Sequence, residues 1–163
     1  MKQLEIITQF INDIGIPCKP GLVRSDSFLP GVDILGGSIV YDASVLISPG
    51  DLLHEAGHIA VLKPGDRANI TSPDVNGDLQ EGGAEMAAIA WSWAALQYLQ
   101  IPPEVVFHEQ GYKGGGDDLI ENFSNERYLG VSLLQWFGMT KEKKGTNTDC
   151  DTVYPHMKYW LRP

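Results

Sequence analysis

The apolar run from Met86 to Leu99 constrains the fold more than any other feature of the sequence. It is interrupted only by Ser92, Gln97 and Tyr98. A helix that is apolar on nearly every face is stable only where other elements cover it. The run is also shorter than the roughly 18 apolar residues that a membrane span needs. We therefore expect a buried central helix in a globular domain.

The segments around this run predict a mainly helical α+β domain. Apolar residues recur at helical spacing over residues 2–14, and Pro17 follows the end of that helix. Two short apolar segments, Val32–Leu35 and Ser38–Tyr41, flank a Gly-Gly pair and predict an antiparallel β-hairpin. We expect a single domain over residues 1–163. Further predictions are loops over residues 18–31 and 64–77 and helices over residues 78–100, 117–123 and 126–137.

The helix that follows the hairpin has well-defined ends. Ser48 suits the N-cap, Pro49 suits the first helical position, and Asp51 lies three residues after the cap. Pro64 and the glycine after it end the helix. Between these ends lies His54-Glu55-Ala56-Gly57-His58, an HExxH motif flanked mostly by apolar residues. A solvated polar stripe would explain these side chains, but polar groups on such an apolar helix need partners.

The spacing of the motif favours a metal site. His54 and His58 are four residues apart, so both side chains project from one face of the helix. Two imidazole nitrogens on that face can bind one Zn²⁺ at about 2.0–2.1 Å each. Glu55 is offset from the histidines, and it can take a proton from a zinc-activated water and return it to a leaving amine. The motif therefore predicts zinc-dependent peptide hydrolysis.

A catalytic zinc site usually has three protein ligands and one open position. Glu81 and Glu85 are the candidates for the third ligand, because both lie near the start of the next helix. Glu81 is also explained as the capping-box partner of Asp78, whereas Glu85 lies among small residues where a carboxylate needs a cation. We favour Glu85, and Glu81 stays open as the ligand or as a group that orients a histidine. Gly57 and the alanines around Glu85 predict a close approach of the two helices.

An HExxH helix followed by a glutamate at the start of the next helix resembles the gluzincin branch of the zincin metallopeptidases. The run from Glu85 to Trp91 is also similar to the E-x-x-A-x-x-F pattern of small ImmA/IrrE-type metallopeptidases, with Trp91 in place of the Phe. The resemblance covers about residues 32–99.

This resemblance implies a small zincin-like fold with Zn²⁺ as cofactor and a protein or peptide as substrate. His54, His58 and Glu85 correspond to the metal ligands, and Glu55 corresponds to the general base. The alternative is a non-catalytic, zinc-stabilised domain that binds or senses a protein partner. Glu55 favours the enzyme, since a structural zinc site needs the ligands but no base.

The resemblance also predicts how a substrate is bound. In zincins a strand ahead of the metal-binding helix often pairs with an extended substrate, and Ser38–Tyr41 occupies that position, either in this role or as an ordinary edge strand. A zinc peptidase needs a donor for the tetrahedral oxyanion as well. His108, next to the glycine-rich segment 111–116, is our first choice and Tyr112 the second. The remaining candidates are Arg127, Tyr128 and His156.

The charge balance excludes several other classes of function. The 163 residues include 21 acidic and 12 basic side chains, for a net charge of −9. Such a surface disfavours nucleic acid and anionic membranes as partners. Cys18 and Cys150 are too few for a disulfide framework, and no signal-peptide pattern opens the sequence. We therefore expect a cytoplasmic protein with two free thiols, and the sequence does not predict an oligomeric state.

Overall fold

The computed structural model describes residues 2–27, 29–72, 83–112, 114–143 and 151–163. Within these ranges the chain forms five α-helices and one three-stranded sheet, which confirms the α+β class. The helices are α1 (Lys2–Asp13), α2 (Gly50–Ala60), α3 (Ala84–Leu99), α4 (Gly116–Ser124) and α5 (Val131–Trp136). The strands are β1 (Cys18–Pro20), β2 (Val32–Leu35) and β3 (Ser38–Tyr41). None of the described helices has the length and apolar character that crossing a membrane requires.

The predicted hairpin is confirmed, but the sheet is mixed. β2 and β3 pair antiparallel from Val32 opposite Tyr41 to Leu35 opposite Ser38. Both glycines of the turn have positive φ, Gly36 at 54° and Gly37 at 73°, as a two-residue hairpin turn requires. β1 pairs parallel to the other side of β3, so the sheet order is β1-β3-β2. The prediction of a loop throughout residues 18–31 is wrong at β1, because a parallel pairing depends on chain-distant contacts that leave no local pattern.

The central place of β3 corrects the predicted substrate strand. Ser38–Tyr41 is hydrogen-bonded to a neighbour on each side, so it is not an edge strand and has no free edge for a peptide. The outer strands are also bonded: Ser72 Oγ accepts the Ile34 N–H at 2.6 Å. On the opposite side, the Asn12 side chain bonds both the N–H and the carbonyl of Cys18, at 3.0 and 2.9 Å. These groups are therefore not available for strand addition.

Helix α3 lies at the centre of the domain, as its composition predicts. Every residue from Ala87 to Leu96 is buried. The carboxyl-terminal segment covers one side, where Tyr154 donates a hydrogen bond to the Ala90 carbonyl at 2.8 Å. On another side the Trp91 indole N–H donates to the Trp160 carbonyl, also at 2.8 Å. The helix ends at Leu99, one residue before the predicted end, while its predicted start at Asp78 lies outside the described residues.

Helix α5 is shorter than predicted. It begins at Val131 rather than Glu126, because two residues ahead of it have a left-handed backbone, Glu126 with φ 56° and Gly130 with φ 79°. Gly130 also packs against the carbonyl of Met86 so closely that a Cβ would not fit. The close contact with the start of α3 therefore sets the beginning of α5.

Candidate metal centre

The amino-terminal end of α2 is fixed by short-range bonds and by one close packing contact. Ser48 Oγ accepts the Gly50 N–H at 3.3 Å, and Asp51 Oδ2 accepts the Ser48 N–H at 3.4 Å. The helix begins at Gly50, one residue later than predicted, with Pro49 rather than Ser48 at the N-cap. The Ser48 hydroxyl also donates to the carbonyl of Val105. Gly50 packs so tightly on the same carbonyl that a Cβ would not fit. The helix that carries the motif is thereby docked on the segment that precedes His108.

The side chains of the two histidines in the motif converge on one position. Their Nε2 atoms lie 3.0 Å apart, and their rings are perpendicular. The side chain of His58 is 4% exposed and that of His54 is 14% exposed. The i,i+4 spacing therefore brings both nitrogens to one buried position, as the sequence predicts.

Glu85, in the first turn of α3, completes the group. Its Oε2 lies 3.1 Å from His58 Nε2, and its Oε1 lies 3.5 Å from His54 Nε2. We refer to His54, His58 and Glu85 as the ligand triad. In the described part of the chain it is the only group of three or more metal-ligating side chains close enough to hold one ion. The position of Glu81 lies outside the described residues.

Close helix packing brings Glu85 to the histidines. A Cβ on Gly57 would lie 2.9 Å from the Ala88 carbonyl oxygen and 3.3 Å from Trp91 Cε3. Side chains at position 57 would therefore push α2 and α3 apart. Glycine on one helix and alanine on the other allow the short separation that the triad needs, as the sequence predicts.

The triad fits a tetrahedral zinc site. Two ligands at about 2.0–2.1 Å from a zinc ion are roughly 3.3 Å from each other in a tetrahedral arrangement. The two Nε2 atoms are 3.0 Å apart, and the two Glu85 oxygens lie 3.1 Å from His58 Nε2 and 3.5 Å from His54 Nε2, distances around that value. With one ligand atom taken from each residue, all three atoms lie within 4.8 Å of one another. Two imidazole nitrogens and one carboxylate oxygen are also a donor set that zinc prefers. Half of the Glu85 side chain is exposed, so the triad borders solvent on that side.

The electrostatic environment suits a cation. Burial, together with the charge of the neighbouring His58, lowers the pKa of His54 to about 4 against the opposing effect of Glu85, so His54 is neutral and able to bind a metal near pH 7. Burial acts to raise the pKa of Glu85, but the hydrogen bond from His58 and the charges of both histidines outweigh it and keep this carboxylate ionised. Burial, helped by the charges of Glu85 and Asp51, raises the pKa of Glu55 to about 7 against the opposing charge of His58. Several acidic groups thus surround one buried position, where a cation would balance their negative charge.

Tyr112 contacts the triad, whereas His108 is bonded to another residue. The Tyr112 hydroxyl lies 2.9 Å from Nδ1 of His54, on the far side of the ring from the other ligands. His108 Nε2 lies 2.7 Å from Oδ1 of the buried Asp51. A role for His108 as oxyanion donor stays a prediction. The sequence identified Asp51 only as a capping residue, and its pairing with His108 had no local signal, because the two are far apart in the chain.

The other candidate donors have partners elsewhere in the fold. Arg127 bonds Glu121 and Asn122 on α4. The ring of Tyr128 packs against Phe123 and Tyr154. The backbone carbonyl of His156 accepts a hydrogen bond from Thr140. These contacts give the side chains of Arg127 and Tyr128 structural partners, while a role for the His156 side chain as oxyanion donor stays a prediction.

Comparison with known proteins gives no relative for this chain. No family model matches it, and no match is found among curated proteins or among solved structures.

Proposed function

We propose that this protein is a zinc-dependent metallopeptidase. One observation carries the proposal: one ligand atom from each of His54, His58 and Glu85 lies within 4.8 Å of the other two. The two Nε2 atoms are 3.0 Å apart, and each is 3.5 Å or less from one of the two Glu85 carboxylate oxygens, close to the separations of a tetrahedral zinc site. The HExxH motif, its resemblance to the gluzincins and the presence of Glu55 beside the triad support the same function.

Each residue of the site has a separate role in the proposed mechanism. His54, His58 and Glu85 would hold the ion, which when bound would supply Lewis acidity and lower the pKa of water. Glu55 accepts a proton from the attacking water at its carboxylate and delivers it to the amine nitrogen of the departing peptide. Tyr112 holds His54 through Nδ1, so that Nε2 stays turned to the ion. The pair of His108 and Asp51 anchors the segment that carries Tyr112.

The second candidate is a zinc-stabilised binding or regulatory domain without catalysis. The burial of His54 and His58 favours it, with 14% and 4% of their side chains exposed. A catalytic centre has to admit a peptide, whereas a structural zinc site is closed. Glu55 has no function in such a site, so its effect on turnover separates the two candidates.

A reducing compartment, the cytoplasm, is part of the proposal. Within the part of the chain that the structure describes, Cys18 is a free and buried thiol, and burial raises its pKa to about 12. Cys150 lies outside that part. Cysteines kept free in this way are common where disulfides do not persist.

Metal analysis of the purified protein tests the zinc site. We expect one zinc per chain in the wild type and none in His58→Ala, while the matched control His156→Ala keeps its zinc, because that side chain lies elsewhere. The exposed position of Glu85 makes Glu85→Ala a second variant in case His58→Ala does not fold. Wild-type protein that binds no stoichiometric zinc contradicts the site.

Turnover of a fluorescence-quenched peptide library separates the enzyme from the binding domain. Glu55→Gln should keep zinc and the folded state but lose cleavage by about a hundredfold or more, because the proton carrier is missing. The control Glu109→Gln, at an exposed position, should cleave like the wild type. The proposed catalysis through Glu55 is contradicted if zinc-loaded wild type cleaves no peptide. It is also contradicted if Glu55→Gln cleaves as fast as the wild type.

A further inference from the structure

A groove lies far from the ligand triad, between α1 and the carboxyl end of α3. It encloses about 590 Å³, within the size range of ligand pockets. Residues of α1, the last turn of α3 and the carboxyl-terminal segment form its walls. Its apolar walls are formed by Ile6, Phe10, Ile14, Leu99 and Trp160.

Aromatic rings form one wall of the groove. Phe10 meets Trp160 edge to face with ring centroids 4.9 Å apart, and Tyr98 meets Trp160 at 5.4 Å. Tyr98 is 66% exposed, although it lies next to the buried part of α3. Contiguous exposed apolar surface that is rimmed by polar residues marks interaction sites, and tyrosine and tryptophan faces attract cations.

The rim of the groove is acidic. Glu5 and Asp13 lie one on each side of Phe10 along α1, and Gln9 donates a hydrogen bond to the Asp13 carboxylate at 2.7 Å. Among the described residues that line the groove, none is basic. The whole chain carries a net charge of −9. An occupant that neutralises the rim therefore has to bring its own positive charge.

The groove is separate from the proposed active site. Glu85 and Tyr98 lie at opposite ends of α3, and a helix rises 1.5 Å per residue, so about 20 Å separates them. A ligand of the groove thus does not touch the triad, and its binding does not require zinc.

We propose that this groove docks a basic amphipathic segment of a partner protein. The segment places apolar side chains between Ile6, Ile14 and Leu99, and it places Lys or Arg side chains over Tyr98 and against Glu5 and Asp13. Helices with one apolar face bind hydrophobic grooves in this way, and opposite charge at the rim speeds encounter and sets orientation. The inference is independent of the proposed peptidase function.

Binding of model peptides tests this inference. The probe is a labelled Leu/Lys amphipathic helix peptide, titrated into zinc-loaded full-length Glu55→Gln protein so that cleavage cannot intervene, and into metal-free wild type. Matched peptides carry Glu in place of each Lys or Ser in place of each Leu. We expect only the Leu/Lys peptide to bind, equally to both proteins, with nuclear magnetic resonance shifts centred on α1, Tyr98 and Trp160.

Variants of the groove show where the peptide binds and separate the aromatic contribution to its affinity from the electrostatic one. Tyr98→Ala should weaken binding about tenfold, as loss of a central aromatic contact does, while Tyr159→Ala, at a half-exposed tyrosine outside the groove, should not. The double variant Glu5→Gln/Asp13→Asn should weaken binding several-fold and reduce its salt dependence. Asp117→Asn/Asp118→Asn removes the same charge on α4 and should bind like the parent protein.

Three results would overturn the proposal. The first is an equal affinity for the Glu-bearing peptide, and the second is peptide binding that Tyr98→Ala leaves unchanged. The third is a dimer that forms without peptide and dissociates in Tyr98→Ala, seen by sedimentation, because a second copy of the chain would then be the occupant. If metal-free protein still binds the peptide, the docking proposal stands even where the proposed peptidase function fails. The two proposals can therefore fail separately.

Discussion

The hydroxyl of Tyr112 gives His54 a partner on the side of the ring that faces away from the triad. A histidine that binds metal through Nε2 carries its hydrogen on Nδ1, and it is held in place when that N–H has an acceptor. The 2.9 Å separation between Nδ1 and the Tyr112 oxygen meets this need. Tyr112 is therefore a positioning residue for the triad, and its role as an oxyanion donor stays a prediction.

Tyr112→Phe tests this role. Removal of the hydroxyl leaves Nδ1 without its partner, and loss of such a contact typically weakens metal binding by about 10–100-fold. We expect that loss in zinc affinity, measured by competition with a chelator, together with a normal circular dichroism spectrum. Tyr159→Phe is the control, and it should bind zinc like the wild type. Equal zinc affinity in both variants would show that Tyr112 does not position His54.

At the scale of secondary structure, the packing of α2 on α3 determines whether the triad exists. α2 supplies His54 and His58, and α3 supplies Glu85. The local signals for both helices are strong, since one has capping residues and the other an apolar sequence. The distance between the two helices depends on the contact between Gly57 and Ala88. The small residues of both helices suggest this contact, but only the folded chain demonstrates it.

Gly57→Ala tests the close helix contact. In an ordinary helix interior this change stabilises by about 1 kcal/mol. Here the added Cβ would lie 2.9 Å from a backbone oxygen, and overpacking of this kind costs roughly 1–3 kcal/mol. We therefore expect a lower urea midpoint and weaker zinc binding.

Gly65→Ala is the matched control for the helix contact. A Cβ at Gly65 has no atom within 4 Å, so we expect the urea midpoint and the zinc affinity to stay unchanged. If Gly57→Ala stabilises the protein as it would an isolated helix, the contact between α2 and α3 is looser than described.

At the scale of the whole molecule, the triad joins α2 and α3, which are separated by more than twenty residues of the chain. A bound ion would therefore connect these two helices and stabilise the fold. A ligand that binds only the folded state stabilises it by about 4 kcal/mol at a thousandfold excess over its Kd. For a chain of this size, each kcal/mol raises the melting temperature by about 2–4 °C.

Metal removal therefore has a predictable effect on stability. We expect dialysis against a chelator to lower the melting temperature by roughly 10 °C, and added zinc to restore it. Glu85→Ala should melt at the same temperature with and without zinc, because it lacks the ligand from α3. A wild-type melting temperature that is insensitive to both treatments would argue against zinc as a ligand of the folded protein.

The sequence by itself determined the features that arise from neighbours in the chain. The i,i+4 spacing places His54 and His58 on one face, the capping residues locate α2, and the Gly-Gly pair permits the hairpin turn. Even the buried state of α3 follows from its composition, since no exposed helix is so apolar. Each of these features depends on residues a few positions apart.

Only the tertiary structure decided which distant groups meet. It brought Glu85 to the histidines, placed Tyr112 on His54 and bonded His108 to Asp51. It also placed β3 in the middle of the sheet and so removed the predicted substrate strand. The physical reason is that such contacts depend on how the helices and strands pack together. Local spacing in the sequence can suggest such packing, as the small residues around Gly57 and Glu85 do, but it does not fix which distant groups come into contact.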